Sequence, residues 1–208
     1  MTVAVAIDTA GPLIGVAAWD GARSATRTGR VSRGTERVLV PWLREVLDEL
    51  GVDRPDVIGV GVGPGAFTGV RVGVAAAIGA AMGYRVGLVE VGSLWSRARS
   101  VDADHVLAVL DARRGRVYVG GWARDGACFL EPADLRPDAL PALPAGVLAT
   151  GEGAPLLADG IAAASGRVCE TYTDCGVLEV ARSVWGRTGG DPTAVRPRYL
   201  RAPGVGAP

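Results

Sequence analysis

Val3–Asp8 is a short apolar, β-rich run that stops at Asp8-Thr9-Ala10-Gly11-Pro12, a cluster of turn-forming residues. Leu13–Trp19 continues as a second strand closed by Asp20-Gly21, so the chain opens as strand–turn–strand. The polar Arg/Ser/Thr/Gly stretch that runs to Gly34 predicts no element. From Thr35 to Leu50, apolar residues recur at 38, 39, 42, 43, 46, 47 and 50, the spacing of one helix face. Thr35 is the expected N-cap, Gly51 the stop, and Pro41 a kink near the first turns. Val57–Val62 reads as a strand, Gly69–Gly83 as a helix, Arg85–Val91 as a strand, and Ser93 as the cap of a helix running to Arg99. This succession is α/β with mixed strand pairing.

A second section starts at His105, with strand Val106–Asp111, a turn at Arg113-Arg114-Gly115 and strand Arg116–Trp122. Four prolines between Pro132 and Pro144 mark an irregular connection. Val147–Thr150 then predicts a strand, Pro155–Ala164 and Leu178–Trp185 predict helices, and the tail from Gly189 is expected to be extended. Asp8 precedes Trp19 by eleven residues and Asp111 precedes Trp122 by the same number, an offset of 103. Each Asp ends an apolar strand, and each Trp ends the strand after the turn. The repeat fits a duplicated lobe; chance likeness between two short hairpins is the alternative.

Composition narrows the chemistry. Among 208 residues, 22 are basic and 22 acidic, and every basic residue is Arg. Without Lys there is no Schiff-base chemistry and no complete P-loop. One histidine, His105, cannot supply the His pair of a zinc hydrolase, and it stands in an Asp-rich loop where it is expected to be solvated. Zero net charge makes the chain a poor stand-alone nucleic-acid binder. No Ser or Cys has a His pair to activate it, so no catalytic residue is assigned. Cys128, Cys169 and Cys175 form no CxxC pair and suit reduced thiols. No apolar run reaches the ~18 residues of a membrane span, Val72–Met82 coming nearest, and Met1-Thr2-Val3 leads straight into a strand. The expected location is cytoplasmic, away from membranes.

The densest motif is Gly59–Gly73, in which a strand enters a turn at Gly63-Pro64-Gly65 and a helix follows. Glycines permit close backbone approach, and a helix start offers free N–H groups to an anion. Thr68 could cap that helix and Arg71 could reach a phosphate; a tight strand–helix connection without ligand is the other reading. Gly61–Ala66 also fits G-x-G-x-x-A with Glu90 as the ribose acid, but Pro64 removes an N–H and a hairpin precedes the motif. Asp8 and Asp111, at strand ends, are candidates for a metal–phosphate contact or a base, against the commoner role of turn cap. Two helix faces stand out as docking surfaces. Small residues recur along 69–83, and the 35–50 helix is apolar over a wide arc that includes Trp42.

Val5–Ala10, the Gly63–Gly73 block, Leu110–Tyr118 and Pro197-Arg198-Tyr199-Leu200-Arg201 occur in an order that resembles the TsaB (YeaZ) family, a subunit of bacterial tRNA N6-threonylcarbamoyladenosine synthesis. Where that family often has His-Ser-Glu before the first helix, this chain has Gly34-Thr35-Glu36. The resemblance implies a two-lobed, actin-like (sugar kinase/Hsp70-type, ASKHA) α/β fold with duplicated mixed-sheet lobes. The expected division is an N-terminal lobe of residues 1–100 and a smaller C-terminal lobe of residues 101–208.

It further implies a non-catalytic scaffold subunit that dimerises with, and activates, a metal-dependent catalytic relative acting on adenosine next to the anticodon of tRNA. An ATPase subunit docks on that pair, and tRNA is contacted indirectly. The catalytic relative's metal-binding histidines have no equivalents here, and no metal is expected. ATP is the one cofactor foreseen, at the interface of the complex. The residues expected at a nucleotide, phosphate or partner loop are Asp8, Thr9, Gly63, Pro64, Gly65, Thr68, Arg71 and Asp111. Those expected at the subunit interface are Val38, Leu39, Trp42, Leu43, Val46, Gly69, Val72, Gly73, Ala76, Ala77 and Ala80. Without its partner the exposed face is expected to drive homodimerisation. A stand-alone ATP-binding kinase or ATPase of the same fold, and an M22-type metallopeptidase, are the competing functions.

Overall fold

The computed structural model describes residues 2–31, 33–169, 172 and 174–201. Apolar residues of β1 (Ala4–Asp8) are buried on both faces, as a central strand requires, and β1 pairs antiparallel with β2 (Leu13–Trp19). β2 pairs with β3 (Ser24–Arg30), a strand in the stretch that predicted no element. Only Ala25 of β3 is buried, so its polar sequence is that of an edge strand. On the other side β1 pairs parallel with β4 (Val57–Gly61), and β4 with β5 (Gly87–Val91). The parallel crossovers are α1 (Thr35–Leu50) and α2 (Phe67–Tyr84); α3 (Ser93–Arg99) follows.

The helix caps differ from expectation. Gly34, in the left-handed region at φ 77°, is the N-cap of α1 and Thr35 is its first helical residue. Ala66 and Gly92 hold the corresponding places before α2 and α3, so neither Thr68 nor Ser93 is a cap. Pro41 lies within a continuous α1. Gly51 ends α1 at φ 72°, as predicted.

The second sheet repeats the first. β6 (His105–Arg113) pairs antiparallel with β7 (Arg116–Ala123), β7 with β8 (Cys128–Leu135), and β6 runs parallel to β9 (Leu148–Thr150), which is parallel to β10 (Arg167–Val168). Read from one edge, the orders are β3-β2-β1-β4-β5 and β8-β7-β6-β9-β10, the same topology twice. β8 carries Pro132 and lies at a sheet edge, where a missing N–H costs no ladder bond. The registers are not identical. Trp19 faces Ala4, whereas Trp122 faces Val106, one residue short of the place a rigid shift of Ala4 would reach, and a bulge follows Asp111. Trp19 accordingly packs on the outer side of its sheet, and Trp122 is buried in the core shared by both lobes. His105 sets its ring edge-on against Phe129, 5.7 Å away, rather than standing in solvent.

One expectation on domain limits is corrected. A short 3-10 turn and α4 (Ala158–Ala163) cover the second sheet, the turn with Leu157 and the helix with Ile161. α5 (Val177–Val184), however, packs on β1, β2 and β4 of the first lobe through Val177, Val180, Ala181 and Val184. The tail continues along the first lobe, where Gly190 bridges to Leu88 and the Arg198 N–H donates to the Val62 carbonyl at 2.7 Å. The reason is burial: the face of the first sheet opposite α1 and α2 is lined by Ala4, Ala6, Ala17 and Val57 and needs an apolar helix over it.

Candidate functional site

β1 and β6 both end at a cleft of about 970 Å³ between the lobes. Thr9, Gly65, Thr68 and Asp111 line it, as do Arg30, Arg33, Arg113, Arg114, Tyr118, Glu152, Tyr199 and Arg201. Gly63, Pro64 and Arg71 do not. Gly63 is engaged inward instead, its N–H donating to Ser93 Oγ at 3.1 Å, and Arg71 places its guanidinium 5.0 Å above the Phe67 ring.

The glycine block makes the first lobe close on itself. Thr9 Oγ1 donates to the Gly69 carbonyl at 2.7 Å, and the Ala66 N–H donates to the Ala10 carbonyl at 2.7 Å. A Cβ at Gly65 would overlap the Ala10 carbonyl, and one at Gly73 would overlap Thr9 Oγ1. These glycines therefore let α2 lie against the turn after β1, and their spacing is explained by that approach without a ligand. Glu90, the acid of the dinucleotide reading, accepts from Arg198 at 2.7 Å and from the Arg196 N–H, so it is spent on the tail.

Asp8 does not reach the cleft. It is fully buried, and its Oδ1 accepts from Arg97 at 3.0 Å and from the Ala10 N–H at 3.0 Å. Arg97 is also fully buried, donating to the Ser93 carbonyl at 2.7 Å and to Tyr172 Oη at 2.9 Å. Burial holds the Tyr172 hydroxyl above its usual range and pushes the nearby Cys175 thiol up to about 12, so both stay neutral. Glu152 closes this cluster from the second lobe; burial raises its carboxyl above the ordinary value, against the pull of Arg97. The Oδ2 of Asp8 and the Oε2 of Glu152 are buried without a hydrogen-bond partner among the described residues.

A nucleotide and its divalent cation are the group that an actin-like fold implies, and Asp8 does not fit that group. Its carboxylate already faces a fixed guanidinium charge, so a divalent cation there would meet like charge. Among the described residues, no three His, Cys, Asp or Glu side chains come together as metal ligands. Asp111 is the open counterpart, accepting from the Arg113 N–H at 2.7 Å and from the Arg113 guanidinium at 3.0 Å. The spacing of Asp8 and Asp111 pointed to a repeated strand–turn–strand, but Arg97, Tyr172 and Glu152 gave no sequence signal. Arg97 reads as an ordinary last-turn arginine, and its acid partner is 89 residues away.

The expected interface residues are mostly consumed by the chain itself. Leu39, Leu43, Val46, Gly73 and Ala77 are buried in the first lobe, and Val38, Trp42, Val72, Ala76 and Ala80 pack half-buried against that core. Gly69 is half-buried too. The outward face of α2 is instead Thr68, Arg71, Ala75, Gly79, Met82 and Gly83. A Cβ at Gly79 or Gly83 would meet nothing within 4 Å among the described residues. α2 is also, by length and composition alone, the one described helix apolar enough to cross a membrane, although Val70, Val74, Ala77 and Ala81 pack it on the first sheet.

Two lobes of the same topology, each with a strand-end acid beside a shared cleft, define a two-lobed actin-like protein. EutJ of Carboxydothermus hydrogenoformans shares this fold, at a TM-score of 0.51 and 12% identity over 87% of this chain and 89% of that one. The sequence model described as TsaD, tRNA N6-adenosine threonylcarbamoyltransferase, matches residues 29–129. The TsaB protein of Escherichia coli, named for tRNA threonylcarbamoyladenosine biosynthesis, is 38% identical over 128 residues, covering 58% of this chain and 55% of that protein. Its namesake in Haemophilus influenzae is 32% identical over 97 residues, or 44% and 41%. In these alignments the chain spans about half the length of the curated relatives it matches. YeaZ of Pseudomonas aeruginosa aligns in structure over 96% of this chain and 100% of its own, at 27% identity and a TM-score of 0.75. A second Pseudomonas aeruginosa structure, described as similar to peptidase YEAZ, gives 28% and 0.77. In sequence and in fold the chain is similar to proteins of the TsaB (YeaZ) family.

Proposed function

We propose that this chain is a non-catalytic scaffold subunit in the synthesis of threonylcarbamoyladenosine on tRNA, working in the cytoplasm. Its partner in this reading is a metal-dependent, actin-fold catalytic subunit that it binds and activates, and an ATPase subunit docks on the pair, with ATP at the interface of the complex. The observation that carries the reading is the outward face of α2. Gly79 and Gly83 stand on it with open space around them, and Met82 is 57% exposed. Glycine inside a helix costs about 1 kcal/mol relative to alanine, and no described residue uses the room it leaves. Close approach of a second helix would use it. On its own the chain pairs through the same face as a homodimer.

Replacing Gly79 with Arg should abolish co-purification with the catalytic subunit from native cytosol and leave the isolated chain monomeric in sedimentation, with its thermal transition unchanged. Co-purification that survives the substitution would overturn the reading. The stand-alone ATPase reading requires nucleotide turnover that depends on Asp8, and the pairing of Asp8 with Arg97 speaks against it. A metallopeptidase would carry stoichiometric zinc in elemental analysis.

A further inference from the structure

The Asp111–Tyr118 hairpin carries part of the family likeness, yet the scaffold reading gives it no task. Its tip sets Arg113 and Arg114 at φ 63° and 56°, ahead of Gly115 at 69°. Non-glycine residues enter that left-handed region at a cost which Gly or Asn avoids, and both arginines are exposed, so no packing demands them. They open into the same cleft as Arg30, Arg33 and Arg201. A chain of zero net charge therefore gathers five guanidiniums around one cavity.

Three carboxylates face them. Glu36 lies 3.9 Å from Arg37, Asp111 is paired with Arg113, and Glu152 is held toward its neutral form by burial. Arg201 donates to the Ala112 carbonyl and lies 3.7 Å from Asp134. Arg30, Arg33 and Arg114 make no ion pair among the described residues. Two aromatic rings stand at the mouth, Phe67 and Tyr199, each 38% exposed and 5.0 Å apart.

Guanidinium forks grip phosphate oxygens, exposed rings stack bases, and an unpartnered buried carboxylate oxygen, Oε2 of Glu152, accepts from a hydroxyl or amine. An acidic peptide would supply the charge but would leave the rings unused. We infer that the cleft holds an unpaired nucleotide of RNA. Arg30, Arg33 and Arg114 take its phosphates, and the Phe67–Tyr199 pair faces its base. The choice of RNA over a free nucleotide rests on the proposed role in tRNA modification; the phosphate chemistry is common to both.

The test is fluorescence anisotropy of the full chain with an end-labelled single-stranded RNA of about twelve nucleotides, a length within the site sizes of known single-strand binders. It is run across a salt series, with ATP and a poly-glutamate peptide as competitors. The double variant Arg33→Gln/Arg114→Gln should weaken binding at least tenfold at low salt and reduce the log–log salt slope by about 1.4, the value for two lost contacts to a single strand. Phe67→Leu should weaken it several-fold with the slope unchanged, and Arg54→Gln, outside the cleft, should bind as the native chain does.

Absence of saturable binding, an equal loss in Arg54→Gln, or displacement by poly-glutamate as effective as by unlabelled RNA would overturn the assignment. So would tighter binding of ATP than of RNA, which would give the cleft to a free nucleotide. These readouts are independent of the Gly79→Arg co-purification experiment. RNA binding can therefore fail while the subunit role stands, and the reverse.

Discussion

Asp8 and Asp111 hold the same station in two lobes of one topology, at the cleft ends of the central strands β1 and β6. Around Asp8 the first lobe has shut: α2 lies on the neighbouring turn, and Arg97 is buried against the carboxylate. Around Asp111 the second lobe stays open, with a hairpin tip in solvent and an Arg113 side chain 78% exposed. The difference teaches that a strand-end acid is a backbone position, and that its chemistry is decided by what later segments place beside it. Here the deciding groups are Ser93, Arg97 and Tyr172 for one acid, and the Arg113 turn for the other.

Removing the guanidinium should have the largest effect. Arg97→Met leaves Asp8 buried without its countercharge and should cost about 3–5 kcal/mol, read as a fall in thermal midpoint or denaturation midpoint. Asp111→Asn cannot match it if the comparison holds. Second comes the steric seal. Gly73→Ala should cost about 1–3 kcal/mol through overpacking on Thr9, and adding Thr9→Ala should recover part of that loss, a coupling that a double-mutant cycle measures.

Glu152 joins the two regions and gives a pH signature. Its folded carboxyl binds its proton more tightly than the unfolded one, mainly because it is buried. Its contribution is therefore intact below the ordinary glutamate range and is lost as pH rises through the raised folded value. Glu152→Gln should raise the melting temperature at neutral pH, by less than the Gly73 change lowers it, and the gap should close toward pH ~4, near the unperturbed carboxylate value. Equal gains at both pH values would remove the buried-acid account. The smallest effect belongs to Asp111→Asn, under about 1 kcal/mol, because its ion pair is solvent-screened. A loss as large as that of Arg97→Met would erase the contrast.

Regular elements were legible where one periodicity dominated. Leu13–Trp19 has the predicted limits, and the helices that end at Leu50 and Arg99 were foreseen, although each begins at the residue expected to cap it. β3 was not legible, because an edge strand with only Ala25 buried carries no apolar alternation; β8 was hidden by Pro132, which an edge tolerates. The glycine block drew attention to the right segment, but Gly65 and Gly73 serve the meeting of helix and turn. The interface positions were misjudged on α1 because Leu39, Leu43 and Val46 mark the stripe that the first sheet takes for itself. Arg97 and Glu152 were out of reach of any local pattern, since their significance lies in neighbours brought together only by the tertiary fold.

The return of α5 to the first sheet has a consequence for synthesis. A ribosome releases β1, β2 and β4 long before Val177–Val184 exists, so one face of that sheet must wait, bare and apolar, while the whole second lobe is made. The N-terminal half is thus an unfinished object during translation, open to chaperones and to wrong pairings. A fragment ending near residue 100 should behave accordingly, collapsing or aggregating, whereas the second sheet, whose β6–β10 strands and α4 are contiguous in sequence, can form as soon as it emerges.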